Sequence, residues 1–277
     1  MHDMKETFYR IRADIRKEIT IALAADLHDH DCTDALESLR NRKPDLIAIA
    51  GDLIYGVKPD GNMLKTEESV SAMRFLKECR KIAPVYYSPG NHEWLLNEKD
   101  IEMIRQTGAA YLDNDMCEFR PGIAVGGLTP SLVTDYRRYR KLHRGNDLYP
   151  RHGAHRYDMH DGPETDWLSR FERYDGYKIL LCHYPQYWRM SEPYLYRRKI
   201  DLVLSGHAHG GQIRYWHPFR WDGLYAPGQG FLPEYTSGMH RGEQGAMIIS
   251  RGLANTAAPL PRLFNPTEIV YIALQPV

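Results

Sequence analysis

Five short apolar segments of this 277-residue chain run into polar residues of the kinds that bind metal ions. The segments are 19–25, 46–50, 84–88, 178–182 and 200–204, and the motifs that follow them are Asp26-Leu27-His28, Gly51-Asp52, Gly90-Asn91-His92-Glu93, His183 and Gly206-His207-Ala208-His209. Apolar runs of this length predict buried strands, and helical patterns lie between the first three. Ligands of open α/β sheets bind at the carboxyl ends of the strands. The pattern therefore predicts an α/β fold with metal ligands gathered at one edge.

Further periodic segments extend this prediction along the chain. Amphipathic patterns predict helices over 33–42, with Thr33 as the N-cap, and over 67–81, 98–106 and 166–174. Strands are predicted over 7–13, at a sheet edge, and over 110–113, 123–128, 247–250 and 268–274. Without a low-complexity linker or repeat in the sequence, we expect one domain over residues 1–277, built from two packed sheets with helices outside.

Composition excludes several classes of protein. The formal net charge is zero, so no global preference for nucleic acid or an anionic membrane is indicated. No apolar stretch approaches the ~18 residues of a membrane-spanning helix, and residues 1–18 lack an apolar signal region. The four cysteines show no C-x-x-C spacing and are interpreted as reduced thiols. We expect a cytoplasmic protein, with association at a membrane surface left open.

Two long segments lack clear periodicity, 131–163 and 213–244, and are interpreted as lids over the site. Residues 137–156 hold seven Arg and Lys residues against one acid, and Arg137 and Arg138 are candidate substrate contacts. Three interpretations stay open for this basic stretch: a solvated surface loop, a lid that binds an anionic substrate, and a contact with single-stranded nucleic acid.

Seven side chains form the candidate metal-ligand set, and they divide into two groups that share one carboxylate. Asp26 and His28 alternate along a strand end and can point to the same face. Asp52 has two carboxylate oxygens and can bridge two ions. The first ion would be held by Asp26, His28, Asp52 and His209, and the second by Asp52, Asn91, His183 and His207.

The mixture of oxygen and nitrogen ligands disfavours calcium, and magnesium as the main occupant. We expect two divalent transition-metal ions, manganese first, with iron, zinc, cobalt and nickel as alternatives. Two ions ~3.5–4 Å apart share a bridging water, lower its pKa and clamp an in-line displacement at phosphorus. His92 directly follows a ligand and is free to stabilise or protonate the leaving oxygen.

The motifs quoted above make the chain resemble the calcineurin-like metallophosphoesterases, and they match that family's pattern residue by residue. The resemblance implies a four-layer α/β/β/α sandwich of two mixed sheets flanked by helices. It also implies a dinuclear metal centre with the ligand assignments given above, and a catalytic role for His92.

A narrower likeness covers roughly residues 7–277. The segments 206–212, 223–230, 250–253 and 262–265 look like those of the YkuE-like branch of bacterial phosphodiesterases. Two departures from the pattern stand out: Ala25 replaces a common serine, and Asp29-His30-Asp31 replaces small or apolar residues. The resemblance therefore implies no substrate contacts for residues 29–31.

These observations predict a metal-dependent phosphoric ester hydrolase. The leading hypothesis is a phosphodiesterase that acts on a small or lipid-linked phosphodiester or pyrophosphate through a metal-bridging hydroxide. The alternatives are a nuclease, a cyclic-nucleotide phosphodiesterase and a non-catalytic metal-binding scaffold. Beyond the seven ligands and His92, the predicted substrate contacts are His30, Arg137, Arg138 and Arg251.

Overall fold

The computed structural model describes residues 4–55, 70–130, 165–189, 193–217, 220–254 and 260–277. Within these ranges the helices are α1 (Thr33–Arg42), α2 (Val70–Ile82), α3 (Glu98–Gln106) and α4 (Asp166–Glu172). The strands are β1 (Lys5–Ala13), β2 (Ile19–Ala24), β3 (Leu46–Ala50), β4 (Val85–Ser88), β5 (Ala110–Tyr111), β6 (Asp115–Arg120), β7 (Ile123–Leu128), β8 (Tyr177–Cys182), β9 (Leu202–Ser205), β10 (Arg214–His217), β11 (Arg220–Gly223), β12 (Tyr225–Ala226), β13 (Gly230–Phe231), β14 (Gly238–Arg241), β15 (Ala246–Ile249) and β16 (Glu268–Pro276).

Two six-stranded sheets organise the fold. The first has the order β1-β16-β2-β3-β4-β5 and the second the order β14-β15-β9-β8-β7-β6. Strands β2 to β5 run parallel to one another. Strands β7, β8, β9 and β15 are likewise parallel. The carboxyl ends of the parallel strands therefore lie along one edge of each sheet.

Successive side chains of a buried strand point to opposite faces of its sheet. The central strands therefore contribute alternate residues to three different apolar cores. In β3, Leu46, Ala48 and Ala50 face the second sheet, whereas Ile47 and Ile49 face the helices of the first sheet. A third core joins the outer face of the second sheet to α4. The layers are thus helix, sheet, sheet and helix, and the expected α/β/β/α sandwich is confirmed.

Most predicted boundaries agree with the structure to within a few residues, and β1 lies at a sheet edge as expected. The prediction of Thr33 as the N-cap of α1 is wrong, because Cys32 occupies that position and Thr33 is the first helical residue. The physical reason is Asp31, because its carboxylate accepts hydrogen bonds from the amide and hydroxyl of Thr33, which draws that side chain back towards the preceding loop.

The segment 213–244 is more regular than expected wherever the structure describes it. It forms two short hairpins, β10–β11 and β12–β13, and then β14. Gly228 in the turn of the second hairpin and Gly230 at the start of β13 have φ angles of 69° and 76°, which favour glycine. The rings of Tyr225 and Phe231 pair across this hairpin with centroids 5.3 Å apart. The other expected lid, 131–163, lies outside the described residues.

Two further expectations concern the cysteines and membrane spans. All four cysteines are free thiols, and Cys182 is a buried residue of β8 as predicted. Among the helices that the structure describes, none has the length and apolar character needed to span a bilayer.

Candidate metal centre

The seven candidate ligands converge where the carboxyl ends of both sheets meet. The first sheet supplies Asp26 and His28 after β2, Asp52 after β3 and Asn91 after β4. The second sheet supplies His183 directly after β8, and His207 and His209 after β9. Because both sheets are packed face to face, these loops form a single buried cluster. Six of the seven side chains belong to residues that are at most 5% exposed: Asp26, His28, Asp52, His183, His207 and His209.

The first predicted group is assembled around the Asp26 carboxylate. Potential ligand atoms of Asp26, His28 and His209 all lie within 4.8 Å of one another. His28 Nε2 is 4.0 Å and His209 Nε2 is 3.7 Å from Asp26 Oδ1. Donors that bind one ion at about 2.1 Å are no more than ~4.2 Å apart, so these pairs fit a shared ion.

The second predicted group is tighter. Potential ligand atoms of Asp52, His183 and His207 lie within 4.8 Å of one another. His183 Nε2 is 3.1 Å from Asp52 Oδ2 and 3.1 Å from Asn91 Oδ1. The structure thus brings Asn91 to the same side of Asp52 as His183.

Asp52 lies between the two groups. Its Oδ2 atom is 3.8 Å from His28 Nε2 in the first group, as well as 3.1 Å from His183 Nε2 in the second. His92 Nε2 lies 3.9 Å from the same oxygen. This placement fits the bridging position predicted for Asp52.

Two side chains show directly that the cluster suits a cation. Neither ring nitrogen of His28 has a hydrogen-bond partner among the described residues, although the imidazole is buried. A buried polar atom without a partner is costly, and a metal ion would satisfy it. The Nδ1 atom of His183 lies 2.7 Å from the carbonyl of Ala50, so Nδ1–H donates there and Nε2 is the nitrogen that would bind a metal.

Five of the seven candidate ligands adopt a left-handed backbone. Their φ angles are 55° for Asp26, 48° for His28, 53° for Asp52, 67° for His207 and 46° for His209. Such conformations cost of order 1–3 kcal/mol each in residues other than glycine and gather at functional sites. This conformation turns the backbone sharply at each strand end and directs the side chain into the cluster.

Two glycines make the close approach of these turns feasible. A Cβ atom on Gly90 would lie 2.2 Å from Asp52 Oδ1, and one on Gly51 would lie 2.6 Å from the Cα of Gly90. Gly51 also has a φ of 84°. The loops after β3 and β4 can therefore touch only because both positions lack a side chain.

The charges of the cluster are strongly coupled. Burial opposes the Asp52 carboxylate, but the neighbouring imidazoles of His183 and His92 outweigh it, so the pKa of Asp52 lies well below its usual value. Burial also opposes a charged His183, yet Asp52 raises the pKa of His183 to about 9. Burial raises the pKa of Asp26 to about 7. Asp52 and His183 therefore form an ion pair, with Oδ2 and Nε2 3.1 Å apart.

Burial acts on the remaining histidine ligands in the opposite direction. It lowers the pKa values of His28 and His207 well below the usual range, and that of His209 to about 3. These three imidazoles are therefore neutral at pH 7, which is the state that binds metals.

Glu93 is not one of the predicted ligands, but its side chain holds the backbone of two loops that carry ligands. Its carboxylate accepts hydrogen bonds from the backbone amides of Asp52 (2.8 Å), Leu53 (2.9 Å) and Gly90 (2.6 Å). The residue is buried, and burial together with the nearby Asp52 charge raises the pKa of Glu93. One side chain thus joins the loops after β3 and β4.

A second support comes from the C-terminal part of the chain. Asn265 Nδ2 donates to the carbonyls of His209 at 2.7 Å and Gln212 at 3.1 Å. Arg262 donates to the carbonyls of Arg251 at 2.6 Å and Ala254 at 3.1 Å. These bonds hold the turn that carries His209 against the loop after β15.

The predicted catalytic residue and substrate contacts are spread more widely. His92 is partly exposed and its ring centroid lies 4.5 Å from that of His28. His30 is exposed on the loop after β2. Arg251 is buried and paired with Glu268 at 2.9 Å, so it has an internal partner, and its contact with substrate stays a prediction. Arg137 and Arg138 lie outside the described residues.

Several contacts in the site were not predicted from the sequence. The Tyr184 ring lies 4.3 Å from that of His207, and the Tyr55 carbonyl lies 2.5 Å from His92 Nδ1. The sequence motif includes Glu93, but it does not predict the four backbone amides that donate to its carboxylate. In the sequence, the signal available for that support was an acidic residue three positions after the glycine that follows β4.

Comparison with known proteins agrees with this geometry. A family model described as "Calcineurin-like phosphoesterase" matches residues 19–211, a range that contains all seven candidate ligands and His92. An uncharacterized metallophosphoesterase of Helicobacter pylori is 26% identical over 267 residues, which cover 94% of this chain and 60% of that protein. The chain therefore spans about 60% of the length of that relative.

Two further similarities are weaker. The uncharacterized metallophosphoesterase YkuE of Bacillus subtilis is 35% identical over 95 residues, covering 34% of this chain and 30% of YkuE. The crystal structure of a dimetal phosphatase from Danio rerio aligns with a TM-score of 0.45 and 11% identity, over 84% of this chain and 87% of that structure. At that level of similarity nothing about activity follows from the alignment.

Proposed function

Because this chain belongs to the calcineurin-like phosphoesterase family, we propose that it is a phosphodiesterase that depends on two divalent metal ions, manganese first among them. The observation that carries the proposal is the placement of Asp52 between two groups of ligands, with Oδ2 3.8 Å from His28 and 3.1 Å from His183. In the proposal, Asp26, His28, Asp52 and His209 hold one ion, and Asp52, Asn91, His183 and His207 hold the other.

The side chains of the centre would divide the work of hydrolysis. The bound ions would polarise the phosphoryl group and activate the attacking water. His183 Nε2 and Asn91 Oδ1, 3.1 Å apart, are close enough that both would bind the same ion. The buried walls around Asp52 would exclude bulk water and so strengthen each electrostatic contact.

His92 is the proposed general acid. Its Nε2 atom faces the centre, 3.9 Å from Asp52 Oδ2, and its side chain is 17% exposed. A phosphoester bound at the centre can therefore place its leaving oxygen near this nitrogen. Protonation of that oxygen by a histidine is worth about 10²–10⁴-fold in rate.

The proposed substrate is a small or lipid-linked phosphodiester or pyrophosphate. The β12–β13 hairpin is the observation that supports a substrate with an apolar group next to the reacting phosphate. A Cβ atom on Gly228 would lie 3.4 Å from His207 Nε2, which places this turn beside the centre. Phe231 and Leu232, a few residues further on, are 68% and 69% exposed. The segments 131–163 and 213–244 are the proposed lids.

The cytoplasmic location remains part of the proposal. It is supported by four free cysteines, of which three are buried, since disulfides are rare in the reducing cytosol.

The test is hydrolysis of bis-p-nitrophenyl phosphate by chelator-treated protein after Mn²⁺, Zn²⁺ or Mg²⁺ is restored. We expect metal-dependent turnover that falls at least ~10²-fold in His92→Ala. His240→Ala is a matched control, because His240 is outside the proposed ligand set. It lies on the edge strand β14, with its ring 5.1 Å from that of Tyr235. Single-stranded DNA and 3′,5′-cyclic AMP are assayed beside the diester. Turnover of either one without turnover of the small diester would replace this proposal by a nuclease or a cyclic-nucleotide phosphodiesterase.

A further inference from the structure

The loops after β2 and β3 stay paired well beyond the ends of their strands. The backbone amide of Asp26 donates to Gly51 at 3.1 Å, that of His28 to Asp52 at 3.1 Å and that of Asp29 to Leu53 at 2.9 Å. Both loops carry metal ligands, so this pairing fixes their relative positions.

Asp29 extends the pairing by two further residues, from Leu53 to Tyr55, through its side chain. Its Oδ2 atom accepts a hydrogen bond of 2.9 Å from the backbone amide of Tyr55. Asp29 itself has a left-handed φ of 58°, which turns its carboxylate back towards the loop after β3. The position of the Tyr55 backbone therefore depends on a side chain from the other loop.

The Tyr55 carbonyl lies 2.5 Å from His92 Nδ1. A carbonyl oxygen can only accept, so the proton of that bond belongs to Nδ1. The other ring nitrogen, Nε2, is then the one that faces the centre, 3.9 Å from Asp52 Oδ2. A backbone carbonyl thus selects which nitrogen of His92 can exchange a proton with a substrate.

We propose that Asp29 is a positioning residue for His92, acting through the backbone of Tyr55. The proposal rests on the proposed function for its kinetic consequences, but its structural content is a statement about one tautomer. Asp29 fixes the Tyr55 carbonyl, the carbonyl fixes the Nδ1–H tautomer and ring orientation, and Nε2 is left as the atom that serves the leaving group.

The proton transfer balances with these assignments. The proton that is transferred is the one on Nε2, while the proton on Nδ1 stays in the bond to the Tyr55 carbonyl. As the phosphorus–oxygen bond to the leaving group breaks, its electron pair goes to that oxygen, which takes the proton from Nε2. The products are a neutral phenol or alcohol and a neutral His92 that keeps its Nδ1–H bond to Tyr55. The attacking water supplies the new oxygen on phosphorus and releases its proton to solvent.

The kinetic test compares two diesters of similar size, diphenyl phosphate and bis-p-nitrophenyl phosphate. Phenolate is the poorer leaving group and depends more on an acid. We expect Asp29→Ala to lower kcat about 10-fold or more on diphenyl phosphate, less on the nitro compound, with KM little changed on both. Asp29→Asn keeps an acceptor oxygen for the Tyr55 amide and should retain most of the activity.

Asp45→Ala is the matched control. Asp45 Oδ2 accepts a 2.9 Å hydrogen bond from the Thr20 amide and so also joins the β2 and β3 segments, but at the opposite ends of these strands. Its kcat should remain that of the wild type on both diesters. In a His92→Ala background, Asp29→Ala should have no further effect on kcat, because residues that act as a unit are not additive.

A second readout does not depend on turnover. The metal-free protein is labelled with ¹⁵N at its histidines, and the His92 signals are identified by their loss in His92→Ala. We expect a protonated Nδ1 and an unprotonated Nε2 for neutral His92 in the wild type, and a mixture of tautomers in Asp29→Ala.

The two readouts separate the possible failures. If neither diester is hydrolysed by the wild type while the tautomer changes as expected, the proposed function fails and the positioning role stands. The positioning role is overturned if Asp29→Ala leaves the His92 tautomer unchanged. Equal losses of kcat from Asp29→Ala with and without His92 would overturn it as well.

Discussion

The buried carboxylate of Glu93 accepts a hydrogen bond of 2.8 Å from the backbone amide of Asp52, the residue that lies between the two ligand groups. The same carboxylate reaches the amide of Gly90, one residue before Asn91. Ligands from two different strands therefore share one internal anchor. Substitution of a residue that holds metal ligands in place, without binding the metal itself, commonly lowers metal affinity by 10–100-fold.

Replacement of Glu93 by glutamine should weaken metal binding and destabilise the protein together. Glutamine has only one acceptor oxygen, so at least one of the amides of Asp52, Leu53 and Gly90 loses its partner. We expect a loss of about 1–3 kcal/mol in unfolding free energy and a 10–100-fold weaker affinity for Mn²⁺. Urea denaturation of the metal-free protein and calorimetric titration with Mn²⁺ measure the two effects.

Glu78→Gln is the control for that variant. Glu78 is partly exposed on α2, where it pairs with Arg40 and Lys81. Exposed pairs contribute little, so its metal affinity should equal that of the wild type. A Glu93→Gln protein with full metal affinity would contradict the anchoring role.

Replacement of Asn265 by alanine should weaken the binding of the ion assigned to the first group. The variant removes the two bonds from Nδ2 to the turn that carries His209, and this turn has a left-handed backbone that must be held in place. We expect a 10–100-fold loss of affinity for one of two ions, with the other nearly unaffected. Two-site calorimetric titration distinguishes the ions.

The control for this variant is Asn97→Ala. Asn97 is the N-cap of α3 and accepts from the amides of Lys99 and Asp100. Its loss should cost about 1 kcal/mol of stability with both metal affinities intact. If both variants lower the stability and neither changes a metal affinity, Asn265 is a structural residue alone.

Metal stoichiometry should follow the proposed division of ligands. We expect two ions per chain in the wild type, about one in His209→Ala and fewer than one in Asp52→Asn, because Asp52 belongs to both proposed ligand groups. His30→Ala should keep both ions, since His30 is exposed and outside the ligand set. Metal analysis after dialysis against a defined Mn²⁺ concentration gives the counts. Retention of both ions by Asp52→Asn would disprove the bridging position.

Metal binding should release protons and weaken as the pH falls. The pKa of His183 is raised to about 9 and that of Asp26 to about 7, so His183 is protonated and Asp26 about half protonated in the metal-free protein at pH 7. Both groups must lose the proton to bind a cation. His28 and His207 have lowered pKa values and contribute no proton at this pH.

Calorimetry in buffers of different ionisation enthalpy measures this release. We expect about one to two protons per chain at pH 7 and fewer above pH 9, with affinity rising between these values. His183→Ala should lower the count by about one proton. A heat of binding that does not depend on the buffer at pH 7 would contradict the raised pKa values.

The residues of the centre could be predicted from the sequence because each one follows a short apolar strand. Asp26, Asp52 and His183 are all found at the strand ends where the pattern placed them. The N-cap of α1 could not be read from Thr33, because the competing bond to Asp31 depends on the local turn. The hairpins of 213–244 were missed because two- to four-residue strands leave too little periodicity to detect.

The sequence by itself determined which side chains are available and that they follow buried strands, and from these it predicted a site for two cations. Only the tertiary structure decided which groups hold those side chains in place. The amide of His207 binds the Asp26 carboxylate across 181 residues of chain, and Asn265 holds the His209 turn across 56. Strand periodicity reports which face of a strand is buried, whereas contacts of this kind depend on the register and packing of two sheets. For that reason the contacts on which the proposed roles of Asp29, Glu93 and Asn265 rest could be identified only in the folded chain.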